Sequence, residues 1–206
     1  MKKIMSILVM FALLLCFTAC ANNSKETDSS SDIVSKETEL NKSETKALVV
    51  YFSCTGNTKA VAQKISKLTG ADLYEIISTD PYTDEDLNYN NDNCRANKEM
   101  NDPDARPAIG SNTIDISNYD TVFIGYPIWW GTMPRIINTF LDTYDLSDKT
   151  VMPFCTSGGS GISKSVSDMK AQELDADIRD GLRANGSSDS EINEWLSDNG
   201  LMQKEN

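Results

Sequence analysis

The chain has 206 residues and a formal net charge of −12, with 19 Lys and Arg against 31 Asp and Glu. Such an acidic chain lacks the basic footprint that nucleic-acid binding requires, so we expect no nucleic-acid partner. Histidine is absent, which excludes Ser-His-Asp and Cys-His catalysis and every histidine-based metal site, and we expect no metal centre.

The first segment has the pattern of an export signal. Lys2 and Lys3 precede an uncharged apolar run over residues 4–19, which is typical of a signal peptide. The end of this run, Leu-Cys-Phe-Thr-Ala-Cys, resembles the lipobox of bacterial lipoproteins, although Phe17 stands where an aliphatic residue is usual. This resemblance implies that residues 1–19 are removed and that Cys20 is lipidated. The alternative is a permanent N-terminal membrane anchor.

We expect residues 20–46 to consist of the lipidated cysteine and a flexible tether. The stretch from 21 to 46 contains no aromatic residue and is rich in Ser, Thr, Glu and Lys. A segment of this composition cannot bury enough apolar surface to fold, so we expect it to be disordered. The folded domain is then residues 47–206, and we expect it to be exported and held by Cys20 at the outer face of the bacterial cytoplasmic membrane.

Strand and helix patterns alternate from residue 47 onward. The predicted strands are residues 47–52, 73–77, 121–126 and 150–155, with a weak one near 174–180. Helical periodicity follows the first, third and fourth strands, and Ser188 with Glu191 has capping-box spacing before a final helix. Residues 79–118 are polar, and a helix within 84–100 should end before Pro103 and Pro107. The alternation predicts a parallel sheet with helices on both faces.

Three polar loops follow three of these strands, and the carboxyl ends of parallel strands meet at one edge of a sheet. The first loop surrounds a helix N-terminus with hydroxyls, an amide and a glycine, which favours a phosphate bound without Lys or Arg. The alternative for this loop is a polar turn with an N-cap. Its residues are Ser53, Cys54, Thr55, Gly56, Asn57 and Thr58.

The second and third loops suit a flat ring. The second offers indoles that can stack on it, and the third offers glycine backbone that can hydrogen-bond its edge without crowding. The alternatives are ordinary packing of the tryptophans under the next helix and a flexible turn for the third loop. The residues are Pro127, Ile128, Trp129, Trp130 and Gly131 in the second loop, and Thr156, Ser157, Gly158, Gly159 and Ser160 in the third.

Together, SCTGNT, YPIWWG and TSGGSG resemble the FMN-binding loops of the flavodoxin family, in order over roughly residues 47–170. The resemblance implies a flavodoxin-like three-layer α/β/α sandwich with a five-stranded parallel sheet of order 2-1-3-4-5. It also implies that the first loop holds the 5′-phosphate of FMN, the second one face of the isoalloxazine, and the third its other side and pyrimidine edge. Trp129 aligns best with the ring-facing aromatic, whereas Trp130 is expected to be a wall or packing residue.

The function implied by the resemblance is electron transfer through bound FMN, to a redox partner protein or a small electron acceptor. One alternative is an NAD(P)H-dependent FMN reductase of quinones or similar small acceptors. A second alternative is a non-redox lipoprotein that binds a phosphorylated ligand in the same cleft. No side chain stands out as an acid, base or nucleophile, so we predict no catalytic residue, and whether the chain is an enzyme stays open.

Two details of the fourth strand give further predictions. Pro153 lies inside TVMPFC and cannot donate a ladder hydrogen bond, so we expect the outer neighbouring strand to pair only briefly beside it. Cys54 and Cys155 end strands that are two spacings apart in the predicted order, about 9.5 Å. This separation is too long for a disulfide, and we predict none.

Overall fold

The computed structural model describes residues 46–201, along which strands and helices alternate. The strands are β1 (Ala47–Phe52), β2 (Asp72–Ile76), β3 (Thr121–Pro127), β4 (Thr150–Thr156), β5 (Asp177–Ile178) and β6 (Leu182–Arg183). The helices are α1 (Asn57–Thr69), α2 (Arg95–Asn101), α3 (Arg135–Thr143), α4 (Ser163–Gln172) and α5 (Asp189–Asp198). The predicted signal peptide, Cys20 and the tether lie outside the described residues. Within residues 46–201, no helix is long and apolar enough to cross a membrane.

The sheet confirms the predicted topology. Its strands run in the order β2-β1-β3-β4-β5, all neighbours are parallel, and β6 also pairs with β4. Alternate residues of β1 point into two apolar layers: Leu48 and Val50 pack with residues of α2, α3 and α4, whereas Val49 packs with residues of α1 and α5. Burial on both faces explains why the central strands read as continuous apolar runs.

The fifth position of the sheet is divided at Pro153, as its missing N–H predicts. The strand β5 pairs with Thr150 and Val151, and β6 pairs with Phe154 and Cys155, so the ladder skips Pro153. The hypothesis of brief outer pairing is therefore confirmed. The weak strand expected near 174–180 is confirmed as β5, and a second short strand, β6, which was not predicted, follows it beyond the interruption.

The polar segment after β2 folds back along the sheet edge. The N–H of Gly110 donates to the carbonyl of Ile77 at 2.7 Å, and Ser78 forms an antiparallel bridge with Ile109. This strip covers the chain just beyond β2, which limits pairing with other chains. The expected helix is present as α2, which begins after Cys94 and ends before Pro103.

The helix starts agree closely with the sequence patterns. The capping box of Ser188 and Glu191 is formed at the start of α5, as predicted. Pro134 is the N-cap of α3, directly before its first helical residue, where a missing N–H costs the helix nothing. The predicted apolar stripe of α3 is buried, which presses the helix against the sheet directly behind the second loop.

Candidate functional site

The loops that follow β1, β3, β4 and β6 open onto one cavity of about 550 Å³, a size typical of small-molecule sites. Eleven of the predicted site residues line it: Ser53, Cys54, Thr55, Asn57, Thr58, Pro127, Ile128, Trp129, Thr156, Ser157 and Gly158. The other five, Gly56, Trp130, Gly131, Gly159 and Ser160, belong to the same loops but are not among its lining residues.

The first loop presents the N-terminus of α1 to the cavity. Gly56 is the N-cap with φ of 86°, and no side chain caps the helix, so the amides of its first turn are available to an anion. Two short-range hydrogen bonds shape the loop: Gly56 N–H donates to Ser53 Oγ at 3.1 Å, and Asn57 Nδ2 donates to Thr55 Oγ1 at 3.1 Å. The loop is therefore a hydroxyl-rich cradle without a charged side chain.

Hydrogen bonds to Thr156 tie the loops to one another. The hydroxyl of buried Thr58 lies 2.8 Å from the hydroxyl of Thr156, which connects the first loop to the third. The carbonyl of Thr156 accepts from Ile128 N–H at 2.9 Å, which connects the third loop to the second. The walls of the cavity are thus fixed relative to one another.

The second loop contains a tight turn that separates the two tryptophans. Trp129 and Thr132 exchange backbone hydrogen bonds of 2.9 and 3.0 Å, and the residues between them, Trp130 and Gly131, have φ of 48° and 82°. Positive φ at both central positions is the mark of a type I′ turn. Glycine adopts this conformation easily, whereas Trp130 is strained in it.

The turn sends the two indoles to different places. Trp129 is 7% exposed, lines the cavity and packs edge-to-face against Phe52 and Tyr82, with ring centroids 5.7 and 5.3 Å away. Trp130 is 42% exposed and contacts only one other ring, that of Tyr89, at 5.8 Å among the described residues. That Trp129 rather than Trp130 faces the ligand stays a prediction, and this placement favours it.

A partly buried polar network packs against Trp129 through the ring of Tyr82. The hydroxyl of Tyr82 donates to Glu99 at 2.5 Å, Arg95 Nε donates to the other oxygen of Glu99 at 2.7 Å, and the guanidinium of Arg95 lies 4.0 Å from the centre of the Tyr82 ring. Burial, and then the hydrogen bond to Glu99, raise the pKa of Tyr82 well above its usual range, so this hydroxyl remains a donor.

The third loop is held by a residue that sequence reasoning missed. Ser157 N–H donates to Asn185 Oδ1 at 2.7 Å, and Asn185 Nδ2 donates to the Ser157 carbonyl. Gly159 N–H donates to Ser157 Oγ at 3.2 Å, and open space surrounds Gly158 and Gly159. A flat ligand edge can approach this backbone without a side chain in its way.

The remaining walls were also missed by sequence reasoning. They are Ala60, Val61 and Lys64 of α1, Leu87 and Tyr89 of the segment after β2, and Ala184, Asn185, Gly186 and Ser187 after β6. The Asn-Gly pair before the Ser188 cap is a turn signal that could have indicated a fourth loop. The sequence around Tyr89 is polar and has the composition of an ordinary solvent-exposed loop, so it gave no sign that this residue lines a cavity.

Cys54, Cys94 and Cys155 are all free, which confirms the prediction that no disulfide joins Cys54 to Cys155. Burial raises the pKa of the Cys155 thiol to about 12. Desolvation by the surrounding protein raises that of Cys54 to about 12 as well, although this residue as a whole is exposed. Both thiols are therefore protonated at neutral pH and are poor nucleophiles.

Comparison with known proteins agrees with this geometry. A family model described as Flavodoxin matches residues 46–199, which is most of the chain. The chain belongs to the flavodoxin family. No curated protein matches it.

Solved structures similar to this flavodoxin-family chain include two from Bacteroides. A candidate flavoprotein of Bacteroides eggerthii is 48% identical, with 74% of this chain and 96% of the other covered and a TM-score of 0.72. A candidate flavoprotein of Bacteroides uniformis is 38% identical, with 74% and 98% covered and the same TM-score. A flavoprotein of Lactobacillus acidophilus, solved in complex with FMN, is 29% identical, with 73% and 98% covered and a TM-score of 0.61.

Proposed function

We propose that this chain binds FMN in its four-loop cleft and transfers electrons through it to a partner protein or a small acceptor. Membership of the flavodoxin family supports the proposal, as does the relative from Lactobacillus acidophilus that was solved with FMN. Bound FMN would supply reversible electron transfer, whereas the protein supplies binding, orientation and electrostatics.

The first loop fits the phosphate end of FMN. An anion at the start of α1 would meet free backbone amides, the positive end of the helix dipole and the hydroxyls of Ser53 and Thr55. Lys64 is the one residue with a formal charge among those that line the cleft in the described part of the chain, and its ammonium donates to the Ser187 carbonyl at 2.8 Å. Phosphate binding would therefore rest mainly on amides and hydroxyls.

The second and third loops fit the ring end. Trp129 offers an aromatic surface that other rings hold in place, and Pro127 with Ile128 extends this apolar wall. Gly158 offers backbone at the opposite side, with no neighbouring atom where a side chain would project. A flat, largely apolar ring with one polar edge matches these walls.

The lining of the cleft favours electron transfer over acid-base chemistry. Among its described residues, the titratable side chains are Cys54, Lys64 and Tyr89, with no carboxylate. The Cys54 thiol is protonated at neutral pH because its pKa is raised to about 12. The walls therefore hold a ligand and restrict water, but they provide no acid-base pair for bond-breaking steps.

The observation that carries the proposal is the convergence of an open helix N-terminus, an aromatic wall and a glycine-rich backbone in one cavity. Its test is an anaerobic reductive titration of residues 21–206 loaded with FMN, followed by mixing with an oxidised electron carrier. We expect the flavin absorbance to bleach and then to recover as electrons pass to the carrier. A colourless protein that retains no FMN but binds another phosphorylated compound would favour the non-redox alternative.

A reductase of small planar acceptors is a second candidate, and one observation favours it. Tyr89 is 67% exposed and lines the cleft, while the strained Trp130 lies against it in an edge-to-face contact. Such a pair suits the stacking of a quinone-like compound at the mouth of the cleft. Rapid bleaching of the bound flavin by NAD(P)H alone, followed by turnover with a quinone, would favour this function, whereas no reaction without a protein donor would favour the carrier.

We further propose that Cys20 anchors the domain to the outer face of the cytoplasmic membrane through a lipid. The sequence of residues 1–20 supports this proposal. Mass spectrometry of the mature N-terminus should find a lipid on Cys20, and Cys20→Ala should release the protein from the membrane fraction. An unmodified protein that keeps residues 1–19 would instead indicate a permanent anchor.

A further inference from the structure

We infer that Asn185 is a positioning residue for the flavin ring, and that the turn Ala184–Ser187 is a fourth wall of the cofactor site. This inference rests on the proposed FMN binding. Its physical basis is that one side-chain amide pairs with both backbone groups of Ser157, the residue immediately before the glycine that lines the ring end of the cleft. The Arg183 guanidinium also donates to the Ser157 carbonyl, at 3.3 Å, whereas among these contacts Ser157 N–H is held by Asn185.

The amide of Asn185 acts as a short extension of the sheet. The last ladder contact between β4 and the outer chain is the bond from Ala184 N–H to the Cys155 carbonyl, at 2.7 Å. Two residues further along the chain, just beyond the end of β4, the backbone of Ser157 pairs with the Asn185 side chain, which acts as both acceptor and donor. An asparagine amide offers this pairing because it carries a carbonyl and an NH₂ on one plane.

The turn that carries Asn185 is itself fixed on several sides. Ser187 N–H donates to the Ala184 carbonyl at 3.4 Å, and Gly186 has φ of 66°, a conformation that glycine adopts without strain. Lys64 of α1 donates to the Ser187 carbonyl at 2.8 Å, and Ser188 caps α5 directly afterwards. Asn185 therefore reaches the third loop from a support fastened to β4, α1 and α5.

The pair of hydrogen bonds between Asn185 and Ser157, called the clamp below, determines which backbone groups of the third loop face a ligand. Ser157 N–H is occupied by Asn185, and Gly159 N–H is occupied by Ser157 Oγ. Gly158, which lines the cleft between them, is thereby left to meet the polar edge of the ring. Of the third-loop residues that the family resemblance assigns to the ring, Gly158 is therefore the glycine that we expect to contact it, because the N–H of Gly159 is already paired.

Removing the amide should act on the ring end alone. Without the clamp, Ser157 would sample conformations that do not present Gly158, and apparent affinity falls in proportion to the competent fraction. Because Arg183 still donates to the Ser157 carbonyl, the main loss is the hydrogen bond of Ser157 N–H, and one such bond corresponds to a change in affinity of up to roughly tenfold. Riboflavin lacks the phosphate but keeps the ring, so its binding should weaken by the same factor as that of FMN.

The experiment measures dissociation constants for FMN and for riboflavin by quenching of flavin fluorescence, using the full chain purified in detergent and stripped of flavin. We expect Asn185→Ala to weaken both ligands by up to about tenfold and to change the visible circular dichroism of the bound flavin. Asn185→Asp keeps an acceptor for Ser157 N–H but replaces the donor with a carboxylate oxygen that repels the Ser157 carbonyl, so it should weaken both ligands at least as much as Asn185→Ala does. Asn185→Asp also provides the affinity measurement if Asn185→Ala does not fold.

The matched control is Asn199→Ala, which removes an amide that donates to the Trp195 carbonyl at the end of α5, away from the cleft. This variant should lose some stability and keep both affinities and the flavin spectrum. The inference is overturned if Asn185→Ala binds both ligands as the wild type does, or if it weakens FMN but not riboflavin. A wild-type chain that binds neither flavin would instead overturn the proposed function.

Discussion

The two ends of the cleft are built in different ways. At the phosphate end, the hydrogen bonds that shape the loop before Thr58 join residues two or three positions apart, and that part of the loop is largely exposed. Buried Thr58, at the end of the loop, makes a long-range hydrogen bond to the third loop. At the ring end, Tyr82 and Glu99 are 17 positions apart, and Ser157 and Asn185 are 28 positions apart. The shape of the phosphate end therefore depends mainly on neighbouring residues of its own loop, whereas the ring end depends on packing across the domain.

This difference implies that the two ends should respond separately to mutation. Changes at the phosphate end should alter FMN binding without altering stability, because the loop contributes little to the core. Changes at the ring end should alter stability and ring binding together, since the same contacts serve both. The following predictions test this separation.

The largest effect should come from a carboxylate at the phosphate end. We expect Thr55→Asp to weaken FMN roughly 100-fold, because placing like charges together costs several kcal/mol. Riboflavin affinity should be unchanged, and the free energy of unfolding should be equal or slightly higher, because an acidic residue suits a helix N-terminus. The neutral isostere Thr55→Asn is the control. Equal weakening of riboflavin would mean that the two ends are not separable.

At the ring end, Trp129→Ala should lower the free energy of unfolding by about 3 kcal/mol or more, because it leaves a cavity beside Phe52 and Tyr82. It should also weaken FMN and riboflavin about tenfold through lost stacking. Trp130→Ala should change stability by less than about 1 kcal/mol, since Trp130 is exposed and strained. Urea unfolding and flavin titration measure these effects, and the opposite order of affinities would exchange the roles of the two tryptophans.

A smaller effect is expected for the network behind Trp129. Glu99→Gln removes the charge that pairs with Arg95, and it should lower the free energy of unfolding by about 2 kcal/mol in urea titration. FMN affinity should fall by less than in Trp129→Ala, because the ring of Tyr82 remains. Glu85→Gln, the same change at an exposed position, should be neutral. An equally neutral Glu99→Gln would show that the network does not support the ring end.

The smallest effect concerns Asp168, which accepts from Thr132 at the end of the tight turn and pairs with Lys164. Desolvation acts to raise the pKa of the Asp168 carboxyl, but the hydrogen bonds from Lys164 and Thr132 outweigh it, so the pKa lies below its usual range. A lowered folded-state pKa gives stability that is present above the unfolded value, about 3.9, and is lost as pH falls through the folded value. When the free energy of unfolding is measured as the pH is lowered, Asp168→Asn should remove this part of its pH dependence. At neutral pH the variant should lose well under about 1 kcal/mol of stability.

The parts of the fold that could be predicted from the sequence are those that depend on residues close together along the chain. Continuous apolar strands predicted a parallel sheet, and the stripe of α3 and the Ser188 capping box predicted two of its helices. The strand order was implied by the resemblance to the flavodoxin family. The interruption of the outer strand followed from Pro153 and from the interior place that the implied sheet order gives its strand, because a proline cannot donate to a ladder. The division into β5 and β6 could not be predicted in detail, because strands of two residues carry no periodicity.

The candidate site likewise has parts that could be predicted from neighbouring residues and parts that depend on residues far along the chain. The first, second and third loops were identified because each follows an apolar strand and has an unusual composition. Tyr82, Tyr89 and Asn185 were missed, because their roles arise from contacts with residues far along the chain. The separate positions of Trp129 and Trp130 depend on a type I′ turn that has tryptophan where glycine or asparagine is usual.

The most direct test of the central claim is an absorption titration of residues 21–206 with FMN. The account predicts tight one-to-one binding, with a shifted and sharpened visible flavin band and quenched flavin fluorescence, and weaker binding of riboflavin because it lacks the phosphate. A protein that remains colourless and leaves the FMN spectrum unchanged would contradict the proposal that this cleft is a flavin site.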